Sequence, residues 1–295
     1  MGMAENHPPS HRVARLLEGY GLIEARYDHC VQALGGDEIT RGTSILEEKD
    51  RVADASQALA FFSTYTFPAT RQILFPAGEG WTCVVNNSKN GSDFNDYSWG
   101  WCRAVRSRVL RVVDNLPIVW KKGSLREVMQ YEARIVELLD ERAQVVRAIT
   151  CANDGGRWSW RLSGEPLPVE SAFPYDAKKV KDRFTREHLR AFLSGLSAPV
   201  VDEEAFLRCR SFSLVEETYK DGDWMTRIRA AACTESELEN PAHGYYQRGL
   251  GWVDHLETHF SSAIADFEKA LKIDPSYEEK IRRHLERAYR LSRGG

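Results

Sequence analysis

The stretch from Gln144 to Leu162, QVVRAITCANDGGRWSWRL, carries the strongest β-sheet signal in the sequence. Two runs rich in β-branched and aromatic residues flank a linker that contains Asp154-Gly155, a pair that tolerates the positive φ of a hairpin turn. In the second run, apolar and polar residues alternate, which places Trp158, Trp160 and Leu162 on one face of a strand. The stretch therefore predicts an antiparallel β-hairpin.

Strand signals continue on both sides of this hairpin. A turn-forming segment, Pro76 to Gly80, separates two short β-rich runs, which is typical of strand, turn and strand. The predicted strands are Arg71–Phe75, Trp81–Val85, Val109–Asn115, Glu132–Leu139, Gln144–Cys151, Arg157–Leu162 and, at an edge of the sheet, Phe206–Val215. Because strands and helices do not alternate regularly, the sequence predicts an α+β fold with a mostly antiparallel sheet and packed helices.

Helices are predicted where apolar residues recur at helical spacing. The predicted helices are Val13–Leu34, Ser44–Ala60, one that follows the caps Ser92 and Asp93, a short one at 124–130, and one that follows the Thr185 cap. One alternative stays open, because the capping-box pattern of Ser124 and Glu127 also fits a single helix over Ser124–Arg142. The helix after Asp93 has an apolar face formed by Phe94, Tyr97, Trp101 and Val105. Trp99 lies off that face.

The segment His243 to Tyr277 resembles a single tetratricopeptide repeat, a helix-turn-helix of about 34 residues. The matching positions, which the resemblance assigns to packing between the two helices, are Leu250, Gly251, Phe260, Ala263, Phe267, Ala270 and Pro275. Two usual aromatic positions hold Gln247 and Asp254 instead. A further amphipathic helix, Glu279–Leu291, follows as a cap. Since repeats need neighbours, one unit is expected to pack on its own chain or to self-associate through these helices.

A second resemblance covers Thr70 to Leu196. The blocks TRQILFPAGEGWT, ANDGGRWSWRLSGEPLPVE and KKVKDRFTREHLRAFL, in this order, resemble an uncharacterised family of bacterial proteins. No established activity comes with that family. Orphan domains of this kind include immunity proteins against polymorphic toxins, so the resemblance implies a bacterial toxin–antitoxin setting. The predicted organisation is a disordered segment at 1–10, N-terminal helices at 11–60, an α+β body at 61–235 and the repeat-like tail at 241–295.

Composition and motifs exclude several classes of function. Among the 295 residues, 40 basic and 43 acidic side chains give a net charge of −3, so no nucleic-acid partner is predicted. The start of the sequence has no apolar signal region, and no membrane-spanning run is present, so we expect a cytoplasmic protein without a membrane partner. The six cysteines show no metal-ligand spacing and are predicted to be buried free thiols.

No motif indicates a catalytic group, a cofactor or a metal. The sequence has no GxSxG, GxxxxGK[ST] or GxGxxG pattern. His255 and His259 are four residues apart, but in the repeat register they straddle the turn and are predicted to be solvated. No catalytic residue, cofactor or metal site is therefore predicted.

A partner-binding surface is predicted around the polar loop NNSKNGSDFND. Aromatic side chains rimmed by Asp and Asn are typical of protein–protein contacts. The candidate residues are Trp81, Asn86, Asn87, Asp93, Asp96 and Trp99.

Three classes of function follow from these observations. The preferred one is a protein-binding protein, most concretely an immunity protein that neutralises a secreted toxin domain by covering its active site. The second is an enzyme whose site is assembled from residues distant in sequence. The third is a scaffold or regulatory protein that uses the repeat-like tail to oligomerise.

Overall fold

A computed structural model describes residues 17–40, 44–63, 70–86, 94–122, 125–219, 242, 246 and 256–294. The chain divides into two compact units. The first contains a large sheet with helices packed on it, and the second contains a short β-hairpin and two C-terminal helices. The predicted α+β class is confirmed, because helices and antiparallel strands are mixed in one chain.

The sheet of the first unit has nine strands, and each neighbouring pair is antiparallel. Its strands are β1 (Gly19–Ile23), β2 (Ser44–Val52), β3 (Thr70–Gly78), β4 (Trp81–Asn86), β5 (Val109–Asn115), β8 (Ala133–Leu139), β9 (Val145–Asp154), β10 (Arg157–Ser163) and β11 (Phe212–Tyr219); β6 (Ile118–Lys122) and β7 (Leu125–Gln130) belong to the separate two-stranded sheet. The spatial order is β10-β9-β8-β5-β1-β4-β3-β11-β2. The two edge strands are therefore β10 and β2.

The hairpin predicted from Gln144 to Leu162 is present as β9 and β10. Gly155 and Gly156 form its turn with φ of 61° and 95°, which are left-handed values that glycine adopts readily. The strands predicted as Arg71–Phe75, Trp81–Val85, Val109–Asn115 and Glu132–Leu139 are confirmed as β3, β4, β5 and β8. These strands carry strong local turn or β signals.

Short helices cover both faces of the sheet. They are α1 (Tyr27–Gln32), α2 (Asp37–Thr40), α3 (Ala55–Ser63), α4 (Asn95–Val105), α5 (Arg186–Gly195) and α6 (Glu203–Arg208). One apolar core joins α3, α5 and α6 to the face that carries Phe75 and Val112. A second core joins α1, α2 and α4 to the face that carries Val84 and Val109. The central strands thus lie between two layers of helices.

Helix α4 packs closely on β1, and a glycine makes this approach feasible. The side chains of Phe94 and Trp101 are fully buried, as the predicted apolar face of this helix requires. A Cβ atom at Gly21 would lie 2.2 Å from the Phe94 ring, so only glycine fits under that ring. The Thr185 cap of α5 is also confirmed, because its side chain accepts a hydrogen bond from the backbone N–H of His188.

Two predicted N-terminal helices are wrong, and so is a separate helical segment at 11–60. Within Val13–Leu34, residues Gly19–Ile23 form β1, and α1 follows only at Tyr27. Strand β1 lies in the middle of the sheet with both faces covered, and such strands read as continuous apolar runs rather than alternating ones. Within Ser44–Ala60, the first part is the edge strand β2, whose exposed charged residues resemble a helix surface in sequence.

Two further predictions are corrected near the second half of the chain. Residues 125–130 form β7 rather than a helix, because pairing with β6 satisfies the backbone there. The strand predicted as Phe206–Val215 begins only at Phe212, since Asp202 caps α6 by accepting a hydrogen bond of 2.9 Å from the N–H of Ala205. Strand β11 is not at an edge either, because β2 pairs with its outer side.

The second unit contains the two C-terminal helices, α7 (Leu256–Ile273) and α8 (Glu278–Gly294). Their shared core includes residues that the repeat resemblance assigns to packing, Ala263, Phe267 and Ala270, and all three are fully buried. Pro275 opens the 3-10 turn between the helices, after the capping residue Asp274. Phe260 lies within α7, and Leu250 and Gly251 fall outside the described residues.

Candidate protein-binding edge

The residues predicted to bind a partner do not come together as one surface in the described part of the chain. Trp81 is only 5% exposed and belongs to the core on the α5 face. Trp99 is half-buried and packs against the core on the opposite, α4 face. Asp96 lies in α4, whereas Asn87 and Asp93 fall outside the described residues. The two tryptophans are therefore separated by the sheet.

Asn86 belongs to a buried polar group on the α4 face of the sheet. It lies opposite Gln72 across β3 and β4, and both side chains are inaccessible to solvent. The hydroxyl of Tyr97 donates a hydrogen bond to the buried carboxylate of Glu217 on the neighbouring strand β11. Both amide atoms of Gln72 lack a hydrogen-bond partner. Because these groups are buried, they do not form an accessible partner-binding surface.

The outer side of β10 is an open edge of the sheet in the first unit. No described strand pairs with that side, since β10 ends the strand order of the sheet. Arg157 and the last three residues of the strand are exposed, and Leu162 keeps 43% of its surface accessible. An uncovered edge strand is a template on which another chain can add a strand.

The hairpin register determines which backbone groups of β10 are free to pair. Asp154 lies opposite Arg157 across the two-residue turn. In such a hairpin the closing pair exchanges both hydrogen bonds, and the pattern alternates along the ladder. The backbone N–H and C=O groups that point away from β9 are therefore those of Trp158, Trp160 and Leu162.

The side chains of these outward-pairing residues hold β10 against the protein. Trp158 and Trp160 pack partly against the core on the α5 face, and the Trp160 ring lies 5.2 Å from that of Tyr175. The strand is thus anchored through its side chains, while no backbone partner from the described residues occupies its outer side. Such an arrangement gives a preformed edge, which lowers the ordering cost of binding a partner strand.

A buried ion pair braces the segment that follows β10. The guanidinium of Arg147 on β9 donates to the carboxylate of Glu170, with an Nη2–Oε2 distance of 2.5 Å, and the two side chains are 2% and 1% exposed. Arg147 also donates to the carbonyl of Gly164 at 2.6 Å, and Tyr175 donates to Glu170 at 2.5 Å. Burial disfavours the arginine charge, but the bonds to Glu170 and Tyr175 outweigh it and raise the pKa of Arg147.

Glycine is required where the chain leaves β10. Gly164 has a φ of 77°, and a Cβ atom there would lie 1.9 Å from the carbonyl oxygen of Val146. The close approach lets the Gly164 carbonyl reach the Arg147 guanidinium. This contact fixes the end of the edge strand over its neighbour β9.

The β10 edge carries positive charge only. The strand, RWSWRLS, carries Arg157 and Arg161 and no carboxylate, and both arginines are exposed. Arginine on an exposed edge pairs readily with carboxylates of another chain and accelerates association with acidic surfaces. The edge therefore suits an extended acidic segment.

The described thiols are poor nucleophiles. Burial raises the pKa of Cys30 to about 11 and that of Cys102 to about 12, and it also raises the pKa of Cys83, Cys151 and Cys209. All five are free and buried. Since the thiolate is the reactive form, these cysteines have a packing role at neutral pH.

Within the described ranges, no cluster of three or more His, Cys, Asp or Glu side chains could hold a metal ion. No described helix is both long enough and apolar enough to cross a membrane. No family model, curated protein or solved structure matches the chain.

The alternation of Trp158 and Trp160 predicts a strand, but it does not show that this strand lies at an edge of the sheet. The composition of the strand, with two arginines and no carboxylate, was the available signal. Its edge position depends on the order of all nine strands, which is set by contacts far apart in sequence.

Proposed function

We propose that the chain is a cytoplasmic protein-binding protein of the immunity type, which neutralises a bacterial toxin domain by covering its active site. The observation that supports it best is the open, preformed β10 edge, whose outward backbone groups and exposed arginines fit an extended acidic segment. The partner strand adds to β10, and its neighbouring residues bring the toxin surface against the protein. Inhibition is steric and needs no catalytic group on this chain.

Main-chain pairing supplies affinity in this proposal, and the arginines supply orientation and rate. An added strand that pairs with Trp158, Trp160 and Leu162 gains several backbone hydrogen bonds, each of which contributes about 0.5–1.5 kcal/mol net. Carboxylates beside Arg157 and Arg161 favour one register and speed the encounter at low salt. The repeat-like tail is not required for this contact, and in our proposal it serves assembly.

The proposal predicts that a neighbouring gene encodes a large protein with a variable C-terminal toxin domain, and co-expression with that domain tests the function. The toxin domain alone should stop growth of the host, and co-expression of this chain should restore it. A host that stays inhibited, although both proteins accumulate in soluble form, contradicts the immunity function.

The binding edge is tested by a pair of substitutions at Leu162. Leu162→Pro removes an outward N–H, and proline is tolerated at such edge positions because no internal ladder bond is lost. Leu162→Ala removes the same side chain and keeps the N–H. Titration calorimetry with the purified toxin domain should show binding weakened about tenfold or more by Leu162→Pro and only slightly by Leu162→Ala. Equal affinities for the two variants would exclude strand addition at this position.

A further inference from the structure

An apolar groove lies between α7 and α8 in the second unit, with a volume of about 320 Å³. Its apolar floor is formed by Leu271, Leu285 and Tyr289. Its charged rim is formed by Glu278, Arg282 and Glu286. Tyr289 is 36% exposed, although its hydroxyl donates a hydrogen bond to Glu268 on α7. An accessible aromatic side chain in an apolar groove with charges around it is typical of a contact surface.

The part of α8 beside these groove residues is already occupied. Ile281 and Ala288 are fully buried against α7, and the ring of His284 stacks on that of Phe267 at a centroid distance of 5.8 Å. The innermost residues of this apolar face therefore hold the hairpin together, whereas Leu285 and Tyr289 beside them contact α7 only in part and line the accessible groove.

The charges along the accessible side alternate in sign. Glu278, Arg282, Glu286 and Arg290 follow one another at four-residue spacing and are all exposed. Such a series is complementary to itself when two copies of the helix run in opposite directions. If they cross near residue 284, Arg282 of each copy faces Glu286 of the other.

We infer that the groove binds α8 of a second copy of this chain, in an antiparallel and two-fold symmetric contact. The crossing places the two Leu285 side chains at the centre, where they cover each other. Tyr289 of each copy then lies near the first turn of α8 in the other copy. The two symmetric Arg282–Glu286 pairs determine the direction and register of the helices.

The ion pairs within one copy do not compete strongly with this arrangement. Arg282 donates to Glu278 one turn away at 3.4 Å, and the two side chains are 63% and 67% exposed. Exposed pairs of this kind contribute little. In the paired helices the same arginine lies beside Leu285, which its aliphatic part covers. Because the contact is small, we expect a dissociation constant in the micromolar range, about 1–100 μM.

The inference is tested by charge reversal in the full-length chain, with sedimentation velocity as the measurement. The unmodified protein should shift from the mass of one chain toward that of two as its concentration rises. Arg282→Glu places like charges against Glu286, and Glu286→Arg places like charges against Arg282, so each variant alone should associate at least tenfold more weakly. An equimolar mixture of the two variants should associate again, because each contact is then between opposite charges.

The matched control is Arg287→Glu, which reverses an exposed charge on α8 that does not line the groove. This variant should associate like the unmodified chain. Circular dichroism checks that each single variant keeps its helices, and the mixture decides the question even where a single variant is somewhat less helical. Any of three results would overturn the inference. The unmodified chain stays at single-chain mass at about 200 μM, which is above the whole expected range; the mixture fails to associate; or the control associates as weakly as the charge-reversal variants.

Discussion

Strands β2 and β10 are the two edges of one sheet, and their outer sides differ in charge and in the way the strands are held. Five consecutive charged residues, Glu47 to Arg51, lie along β2, and Arg51 is paired with Glu48 at 3.1 Å on the surface. The pairing of β2 with β11 also shifts register at Lys49, because Leu214 lies opposite Asp50 and Val215 lies opposite Glu48. Such features discourage pairing with another chain.

Strand β10 has the opposite construction. It has a regular register over its whole length, two arginines and no carboxylate, and its aromatic side chains point back into the protein. The ion pair beside it, between Arg147 on β9 and Glu170, is buried rather than exposed. One edge is therefore protected by its charges, whereas the other is held in place from the inside and has no described strand on its outer side.

The largest expected effect concerns the buried brace. Arg147→Ala leaves the carboxylate of Glu170 buried without its cation, and breaking such a pair costs about 3–5 kcal/mol. Urea denaturation should show a loss of that size. The matched change at the other edge, Arg51→Ala, removes an exposed partner of Glu48 and should cost about 1 kcal/mol or less. Similar losses for the two variants would contradict the contrast between the edges.

A smaller effect is expected from the aromatic anchor of β10. Trp160→Ala removes a partly buried ring that contacts Tyr175, and we expect a loss of about 1–3 kcal/mol in the free energy of unfolding. Ile45→Ala serves as the control on β2, where the side chain is 39% exposed, and should change stability by about 0.5 kcal/mol or less. Thermal unfolding of both variants measures the difference, and a Trp160→Ala variant as stable as the control would show that β10 is not anchored by its side chains.

The smallest effect is a pH dependence at the β2 edge. Partial burial raises the pKa of Glu48, but hydrogen bonds from Arg51 and Ser213 lower it more, so the net pKa lies below its ordinary value of 4.5. A carboxylate with a lowered pKa stabilises the fold above its unfolded pKa and loses this contribution as the pH falls through the folded pKa. Because Glu48 is partly exposed, we expect less than about 1 kcal/mol at neutral pH.

Glu48→Gln isolates that contribution. The difference in unfolding free energy between the unmodified chain and this variant should stay constant above the ordinary pKa and shrink at more acidic pH. Denaturation curves at several pH values measure it. A difference that grows on acidification has the wrong sign for this account.

The fold could be predicted from the sequence where local signals suffice. The β9–β10 hairpin was predicted because Asp154-Gly155 supplies a turn and the tryptophans alternate. Strand β1 was predicted as a helix because a strand buried on both faces lacks the alternation of apolar and polar residues. Strand β2 was predicted as a helix because a run of charged residues fits an exposed helix as well as a protected edge strand. In both segments the tertiary environment, rather than local preference, selects the strand.

The candidate site was harder to predict for the same reason. Trp81 and Trp99 are close in sequence, yet they pack on opposite faces of the sheet, which no local pattern of spacing specifies. The exposed status of β10 follows only from the complete strand order. Sequence patterns therefore identify strands more readily than they identify which strands are edges.

Amide hydrogen exchange of β10, with and without the toxin domain that we propose as its partner, is the most direct test. In the free protein, the outward amides of Trp158, Trp160 and Leu162 should exchange much faster than those of Ser159 and Arg161, which pair with β9. Binding should protect the outward amides strongly and leave the amides of β2 unchanged. If a stable complex forms while the outward amides of β10 keep their exchange rates, strand addition at this edge is contradicted.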